Sequence, residues 1–175
     1  MNRQKKVIRN LILLIILFFI FINRSGFYSS PMSAHQNSER RIHYGPSEVV
    51  HIEDFEDGKY LLSKYDNSVS CNTVKRFLIF FWTLEEPIGF HNDITKPLNY
   101  YSNNSYSNWK AYGIVNDDRI KRVEIILEDG KALTQSKFYD DLFLFTWESN
   151  DNRSQGFKII KGYDANYNVI YEKEY

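Results

Sequence analysis

The stretch from Lys121 to Ser136, Lys-Arg-Val-Glu-Ile-Ile-Leu-Glu-Asp-Gly-Lys-Ala-Leu-Thr-Gln-Ser, has the pattern of an antiparallel β-hairpin. Val123, Ile125 and Leu127 alternate with mostly polar residues, which is the period of a strand that buries one face. Asp129-Gly130 follows, and this dipeptide favours the positive φ angles of a tight hairpin turn. The stretch therefore predicts an antiparallel sheet with one largely wet face.

Other strands are predicted on both sides of this hairpin. Asp57-Gly58 separates Glu48 to Phe55 from Lys59 to Tyr65, and an Asp- and Asn-rich turn separates Phe157 to Tyr163 from Val169 to Glu172. Two further segments carry apolar residues on both faces of a strand, Val74 to Trp82 and Leu142 to Trp147. Because a strand that is apolar on both faces must be covered on both, we predict that these two are central strands and form the core.

The predicted fold class is mainly β, with one N-terminal transmembrane helix followed by a single antiparallel β-sandwich or curled-sheet domain. The β domain covers residues 47–175, in which seven or eight short strands alternate with turn signals and no long helical stripe occurs. A short helix near Asp118 to Lys121, or after Ser70, is compatible with this pattern. Residues 24–46 are predicted to be a polar linker with too few apolar residues to pack alone.

The N-terminus carries an unbroken apolar run from Leu11 to Ile22, behind the basic residues Arg3, Lys5, Lys6 and Arg9. As a helix this run rises about 18 Å, which is shorter than the ~30 Å hydrocarbon core and typical of a cleaved signal peptide. Inclusion of Val7 and Ile8 lengthens it to about 24 Å, which spans a slightly thinned bilayer.

The residues after the run favour an uncleaved signal anchor over residues 1–23. Signal peptidase requires small residues in an Ala-x-Ala-like pattern, and every candidate site here has a large or charged outer residue: Asn23, Arg24, Phe27 or Met32. The positive-inside rule places the basic N-terminus in the cytoplasm and the C-terminus outside. We therefore predict a single-pass protein of the cell membrane, in contact with the lipid bilayer through Leu11 to Ile22.

Composition narrows the classes of partner and chemistry. The chain has 22 Lys and Arg, and removal of the four in its first ten residues leaves 18 against 22 Asp and Glu. This negative balance disfavours nucleic acid as a partner. The one cysteine, Cys71, cannot form an internal disulfide, and without a basic neighbour it is predicted to be a small buried hydrophobe rather than a nucleophile.

The polar side chains form only fragments of catalytic or metal sites. His51, Glu53 and Asp57 share one face of a strand, but further ligands are missing. Asp164-x-Asn166-x-Asn168 begins like a calcium loop and then departs from the pattern. The pairs Asp117-Asp118 and Asp140-Asp141 are expected in turns, and His35, His43 and His91 in loops without partners. We therefore assign no catalytic residue and expect no metal or cofactor.

The segment Leu98 to Tyr112 is the most suggestive part of the β domain. Its rings alternate with Asn and Ser, which is the composition of a contact loop for a glycan or a protein. The same composition also occurs where rings merely cap the end of a sandwich. The candidate ligand-binding residues are Tyr100, Tyr101, Tyr106 and Trp109.

Several blocks of the chain carry a resemblance to a known group: Gly58 to Tyr65, Val74-Lys75-Arg76 leading to Trp82, Tyr112 to Ile125, Phe145-Thr146-Trp147, and Lys161 to Asp164 with Val169 to Glu172. Together they resemble small uncharacterised membrane-anchored or lipoprotein-type extracytoplasmic proteins of low-GC Gram-positive bacteria. This chain lacks the lipobox cysteine of such proteins and their Gly-rich stretch after the tryptophan. The resemblance implies a bacterial envelope setting and an antiparallel β domain, and no activity.

Two classes of function follow. The first is a non-catalytic envelope domain that binds a protein or a cell-wall ligand while the anchor holds it at the membrane. The second is an envelope hydrolase or metal-dependent enzyme whose dispersed residues meet only in the fold. A pocket that gathers His51, Glu53 or Asp57 with His91 would favour the enzyme, and a shallow aromatic surface would favour binding.

Overall fold

The computed structural model describes residues 3–85, 87–105, 108–148 and 156–175, with the side chains of Asn23 and Ser105 left aside. The described chain is mainly β, with antiparallel sheets and two helices. In chain order the elements are α1 (Arg3–Arg24), β1 (Phe27–Tyr28), α2 (Pro31–Arg41), β2 (Glu48–Phe55), β3 (Gly58–Tyr65), β4 (Ser68–Phe77), β5 (Phe81–Leu84), β6 (Gly89–His91), β7 (Leu98–Ser105), β8 (Asn108–Val115), β9 (Arg122–Leu127), β10 (Ala132–Gln135), β11 (Leu142–Glu148), β12 (Phe157–Tyr163) and β13 (Val169–Glu174).

The strands form three sheets. One has the order β1-β5-β4-β3-β2, with β6 also paired to β4, the second has the order β10-β9-β12-β13, and the third has the order β11-β8-β7. The chain divides into two compact units. The first is formed by Met1–Pro46, Glu53–Tyr60 and Asn72–Pro87, and the second by Ser47–Ile52, Leu61–Cys71 and Ile88–Tyr175.

The predicted hairpins are confirmed, but their two glycines have different roles. Gly130 has a φ of +88°, and its turn is closed by the Lys131 amide, which donates to Asp129 Oδ1 at 2.8 Å. Gly58 is needed for space, because a β-carbon there would collide with the ring of Phe55 and the carbonyl oxygen of Val74. The Asp-Gly signal thus predicts both turns correctly, although only one of them uses the glycine's freedom of φ.

The core of the second unit lies between the sheet of β9 and β12 and the sheet of β8 and β11. Val123, Ile125 and Leu127 of β9 are buried there, as the alternation predicts, together with Phe143, Phe145 and Trp147 of β11. Leu142 and Leu144 point to the other face of β11 and are also buried. The prediction that Leu142 to Trp147 is covered on both faces is therefore confirmed.

Side chains of β8 show what lies on that other face. Lys110 Nζ donates to the carbonyl oxygen of Cys71 at 2.5 Å, and the Tyr112 hydroxyl donates to the carbonyl oxygen of Ile88 at 3.0 Å. Both side chains are buried. The sheet of β7, β8 and β11 is thus the middle layer of the second unit.

The first unit differs from the predicted linker and strand. Residues 24–46 contain α2, which begins at the N-cap Ser30 and buries Ala34, His35, Ser38 and Glu39. The expectation of a linker is wrong over α2 because this helix buries a polar face, which a search for apolar stripes does not detect. The two places where the sequence would allow a short helix, near Asp118 and after Ser70, contain no helix: Ser70 lies within β4 and Asp118 lies between β8 and β9.

The predicted central strand Val74 to Trp82 is also wrong. β4 ends at Phe77, residues 78–80 form a turn, and β5 begins at Phe81. The register pairs Phe77 with Phe81 and Val74 with Leu84, so this segment folds back on itself instead of crossing the core. Only its first part is buried: Val74 is enclosed, whereas Leu78, Ile79 and Phe80 are exposed.

Helix α1 contains the apolar run of the N-terminus. Among the described residues, no helix has both the length and the apolar character needed to cross a membrane.

Candidate functional site

The aromatic segment Leu98 to Tyr112 forms the hairpin of β7 and β8 rather than a loop. Tyr100 pairs with Gly113, Tyr101 with Tyr112, and Asn104 with Trp109. Because directly opposed residues share a face and neighbours along a strand alternate, Tyr100 and Trp109 lie on one face of the sheet and Tyr101 on the other. The three described rings therefore do not form one surface. The fourth predicted residue, Tyr106, lies outside the described residues.

Tyr100 is packed against the core and participates in an aromatic cluster. Its ring centroid is 5.9 Å from that of Phe157 and 6.4 Å from that of Tyr175. The Tyr175 hydroxyl donates to the Tyr100 hydroxyl at 2.6 Å, and Lys173 Nζ lies 5.9 Å from the Tyr100 ring centroid. Burial, assisted by the contact with Tyr175, raises the pKa of Tyr100.

Trp109 is likewise engaged within the protein. It stacks on Trp147 with ring centroids 6.0 Å apart and planes inclined by 14°, and it packs against the buried core. Tyr101 differs from both, because 40% of it is exposed while its ring leans on buried Tyr112 at 6.1 Å. Of the three described candidates, Tyr101 is the one that offers its ring to a ligand.

Of the fragment His51, Glu53 and Asp57, the histidine is engaged by an aromatic ring. The His51 ring stacks on the Tyr139 ring, with centroids 3.6 Å apart and planes inclined by 7°. No three His, Cys, Asp or Glu residues come together as metal ligands in the part of the chain that the structure describes.

Acidic residues of the turns have hydrogen-bond or ion-pair partners within the protein. Asp164 Oδ1 accepts hydrogen bonds from the amides of Asn166 and Asn168, both at 2.8 Å, and the side-chain and backbone bonds from Asn168 lower the pKa of Asp164. Asp117 forms an ion pair with Arg119 at 2.7 Å, and Asp140 forms one with Lys64 at 2.8 Å. The contacts of Asp164 and Asp117 lie within their own turns, as the sequence predicts, whereas that of Asp140 joins residues 76 positions apart.

A buried polar cluster between α2 and β4 has no counterpart in the sequence analysis. Asn72 Nδ2 donates to His35 Nδ1 at 2.9 Å and to Ser38 Oγ at 3.0 Å. On the opposite side of the imidazole, His35 Nε2 lies 3.2 Å from Glu39 Oε1. His35 therefore lies in a helix with partners on both ring nitrogens, which corrects the expectation of a loop histidine without partners.

This cluster has the residue types of a catalytic triad but not the geometry. The Ser38 hydroxyl donates to the His35 carbonyl oxygen at 2.6 Å, so it is not aimed at the imidazole as an activated nucleophile would be. Burial lowers the pKa of His35 while Glu39 partly opposes that shift. The arrangement holds the imidazole ring in place and joins α2 to β4, which is a structural role.

Two clefts lie beside the C-terminal half of α2. One, of about 440 Å³, is lined by Ser38, Arg41, Ile42, Leu84, Glu85 and Pro87. The other, of about 610 Å³, is lined by Gln36, Glu39, Arg40, His43, Tyr44, Gly45 and Pro46. Neither contains any of the predicted site residues.

The sequence contains start and end signals for α2, but it does not indicate the buried polar cluster that α2 forms with β4. Ser30 stands before Pro31, and Arg40 and Arg41 lie in the last turn, which are the residues expected at helix starts and ends. Ser30 Oγ accepts from the Ser33 amide at 3.1 Å, completing the cap. The contact of His35 with Asn72 joins residues 37 positions apart, and no local pattern indicates it.

Comparisons with protein-family models, with curated proteins and with solved structures returned no match to this chain.

Proposed function

We propose that this chain is a membrane-anchored extracytoplasmic binding protein, with the β sheets outside and α1 as a single-pass signal anchor. Because α1 falls short of an ordinary membrane span in length and apolar character, the proposal requires a bilayer that is thinned around it. The observation that carries the proposal is the exposure of α1. Its large apolar side chains from Val7 to Phe21 are each 45% to 66% exposed, on every side of the helix. A helix that is apolar all round is typical of a lipid environment rather than of the surface of a sheet.

Energetics support the same assignment. Removal of one Leu, Ile or Phe side chain from water is worth about 1.5–3 kcal/mol, and α1 presents thirteen such side chains if Val7 is included. The basic residues that precede the apolar run match the cytoplasmic side, where positive charge is enriched. Arg24 at the other end can extend its guanidinium to the headgroups while its stem stays among the acyl chains.

The proposed ligand is a protein segment or a glycan of the envelope. Strand β7 is the last strand of the sheet β11-β8-β7, and the edge of a sheet offers backbone groups to a further strand. Tyr101 lies on β7 with a partly exposed ring, beside strand residues with short amide and hydroxyl side chains. Such a combination suits a contact in which a ring supplies area and the amides supply hydrogen bonds.

Protease accessibility tests the anchor. We expect protease added to intact spheroplasts to remove a C-terminal tag, and alkaline carbonate to leave the full-length chain in the membrane. The variant Leu14→Arg places a charge in the middle of the apolar run and should move the protein out of the membrane fraction. Recovery of a soluble ectodomain trimmed at its N-terminus from the medium would show that α1 is a cleaved signal peptide.

Capture from native membranes tests the binding surface. After crosslinking, we expect Tyr101→Ala to lose the partner or glycan that the unaltered chain retains. Tyr65→Ala is the matched control, since Tyr65 is a strand tyrosine of the second unit with 39% exposure against 40% for Tyr101. Equal retention by both variants would exclude Tyr101 from the contact, and equal loss would indicate damage to the fold.

A further inference from the structure

We propose that the turn between β4 and β5 inserts into the outer face of the lipid bilayer as a second membrane contact, separate from α1. The residues concerned are Leu78, Ile79 and Phe80, called here the apolar tip. This inference rests on the proposed function, because the lipid it contacts is the membrane that holds α1.

The three large apolar side chains of the apolar tip are highly exposed, which is unfavourable in water. Leu78 is 69% exposed, Ile79 is 79% exposed and Phe80 is 74% exposed. Turn chemistry does not explain these residues, because Leu78 has a φ of +55°, a conformation for which glycine, asparagine or aspartate is preferred. Three consecutive large apolar side chains at the end of a hairpin therefore indicate an apolar medium around them.

Aromatic rings and a cation surround the base of the tip. Phe27 of β1 stacks on Phe77 with ring centroids 4.5 Å apart and lies 6.1 Å from Phe81. The guanidinium carbon of Arg76 lies 5.2 Å from the centroid of the Trp82 ring. Aromatic rings and long cationic side chains are the residues found at the depth of lipid headgroups, where one end contacts acyl chains and the other contacts water or phosphate.

The charges of the hairpin complement an anionic lipid surface. From Val74 to Leu84 the chain carries Lys75 and Arg76 and contains no Asp or Glu. Lys75 is paired with Glu85 at 3.0 Å, whereas Arg76 is exposed beside the tip. A hairpin with an apolar end and the exposed cation of Arg76 at its base matches the order of acyl chain and phosphate that it would meet on entering a bilayer.

The connection to α1 keeps this hairpin close to the membrane. Only Ser25 and Gly26 separate α1 from β1, so the end of α1 lies within about 11 Å of Phe27 along the chain. Strand β1 pairs directly with β5, which adds about 4.8 Å. If α1 lies in the bilayer, β5 is thus held near the lipid surface, where the tip has a high effective concentration.

Lipid fits the tip better than a second copy of the chain does. A stable protein interface buries about 800 Å² per partner, and three side chains on a convex turn do not provide such a surface. A bilayer requires no complementary shape, and α1 already meets most of the cost of bringing the chain to the membrane. The tip then needs to contribute only the free energy gained when its own apolar side chains leave water.

Fluorescence quenching by lipid tests the proposal on the full chain. Ile79→Cys is labelled with an environment-sensitive fluorophore and reconstituted in vesicles of phosphatidylcholine and phosphatidylglycerol, with or without doxyl-labelled lipid. The native Cys71 is fully buried and does not compete for the label in the folded chain. Leu17→Cys reports on α1, and Ile94→Cys is the matched control, an isoleucine of the second unit with 70% exposure.

We expect doxyl lipid to remove most of the fluorescence at positions 79 and 17 and to leave that at position 94 unchanged. Quenching at 17 without quenching at 79 would overturn the apolar tip and leave the anchor standing. Quenching at 79 without quenching at 17 would support the tip and overturn the anchor, and quenching at neither would overturn both.

A shifted emission at 79 without quenching, together with a disulfide-linked dimer of the unlabelled variant, would assign the tip to a second copy. If circular dichroism shows that Ile79→Cys is unfolded, Phe80→Cys takes its place with the same outcomes.

Discussion

Strand β11 and the hairpin of β4 and β5 both contain strongly apolar segments, but the surroundings of the two segments are opposite. Leu142 to Trp147 lies in the middle layer of the second unit and is buried on both faces, with Phe143 and Phe145 on one side and Leu144 on the other. Val74 to Trp82 turns back at residues 78–80, where Ile79 and Phe80 are exposed. Burial is decided by what packs on each face of a segment rather than by its composition.

The two regions should also differ in what their apolar side chains contribute to the free energy of folding. A ring on β11 contributes by leaving water and by filling space that the fold would otherwise leave empty. A ring at the apolar tip makes no such contribution to folding, and its apolar surface is free to contribute to membrane binding. Mutations in β11 should therefore change the free energy of unfolding, whereas mutations in the apolar tip should change membrane binding.

The largest expected effect is on the core side of this comparison. Phe145→Ala removes a buried ring of the main cluster and should lower the free energy of unfolding by about 3–5 kcal/mol. Phe80→Ala removes an exposed ring and should change it by about 0.5 kcal/mol or less. Urea unfolding of both variants in detergent micelles measures the two values. Equal costs would mean that Phe80 is packed against the protein.

The tightness of the middle layer gives the next effect. Gly113 of β8 faces β11, and a β-carbon there would lie 2.6 Å from Phe143 Cζ and collide with the backbone oxygen of Asn99. Gly113→Ala should therefore cost about 3 kcal/mol through overpacking. In Gly156→Ala the added carbon meets nothing closer than Trp109 at 3.9 Å, so it should fold normally. Thermal unfolding of the pair tests whether β8 and β11 are as close as described.

The first half of β4 is buried and contains Asn72, in contrast to the exposed end of the strand. Asn72→Ala removes both hydrogen bonds to α2 and leaves buried His35 without its donor, which should cost about 2 kcal/mol. Asn104→Ala, at an exposed position of β7, is the matched control and should cost little. A negligible cost for Asn72→Ala, measured by urea unfolding, would show that α2 is not joined to β4 by this cluster.

The smallest effect concerns pH and an exposed turn of the second unit. Hydrogen bonds from the Arg119 side chain and amide lower the pKa of Asp117 to about 2, from an ordinary value of 3.8. Since the lowered pKa belongs to the folded state, this contact stabilises the fold above about pH 4, and the stabilisation is lost as pH falls towards about 2. Asp117→Asn should remove that part of the pH dependence. Melting temperatures across this range that match in both proteins would contradict the ion pair.

The predictable part of the fold is the part that local patterns determine. Alternation in β9, the Asp-Gly turns and the doubly apolar β11 identify strands from neighbours in sequence. The turn at Leu78 was missed because the segment carries no glycine, asparagine or aspartate at its break. Helix α2 was missed because its buried residues include His35, Ser38 and Glu39, which belong to a polar network rather than to an apolar stripe.

The candidate site was less predictable, because faces and partners arise only from pairing. Composition indicates that Tyr100, Tyr101 and Trp109 belong to an aromatic segment, but the register of β7 with β8 places Tyr101 on the opposite face from the other two. The stacking of Trp109 on Trp147 depends on β11, which lies about forty residues later. The binding role of Tyr101 remains a prediction for the capture experiment.

Photocrosslinking at position 80 tests most directly whether the exposed apolar segment faces lipid. Benzoylphenylalanine replaces Phe80 in the full chain in its own membranes, and the same residue replaces Ile94 as the control. We predict phospholipid adducts on irradiation at position 80 and none at position 94, identified by mass spectrometry of the purified chain. Crosslinks from position 80 to protein alone, or lipid adducts of equal yield at both positions, would contradict the account.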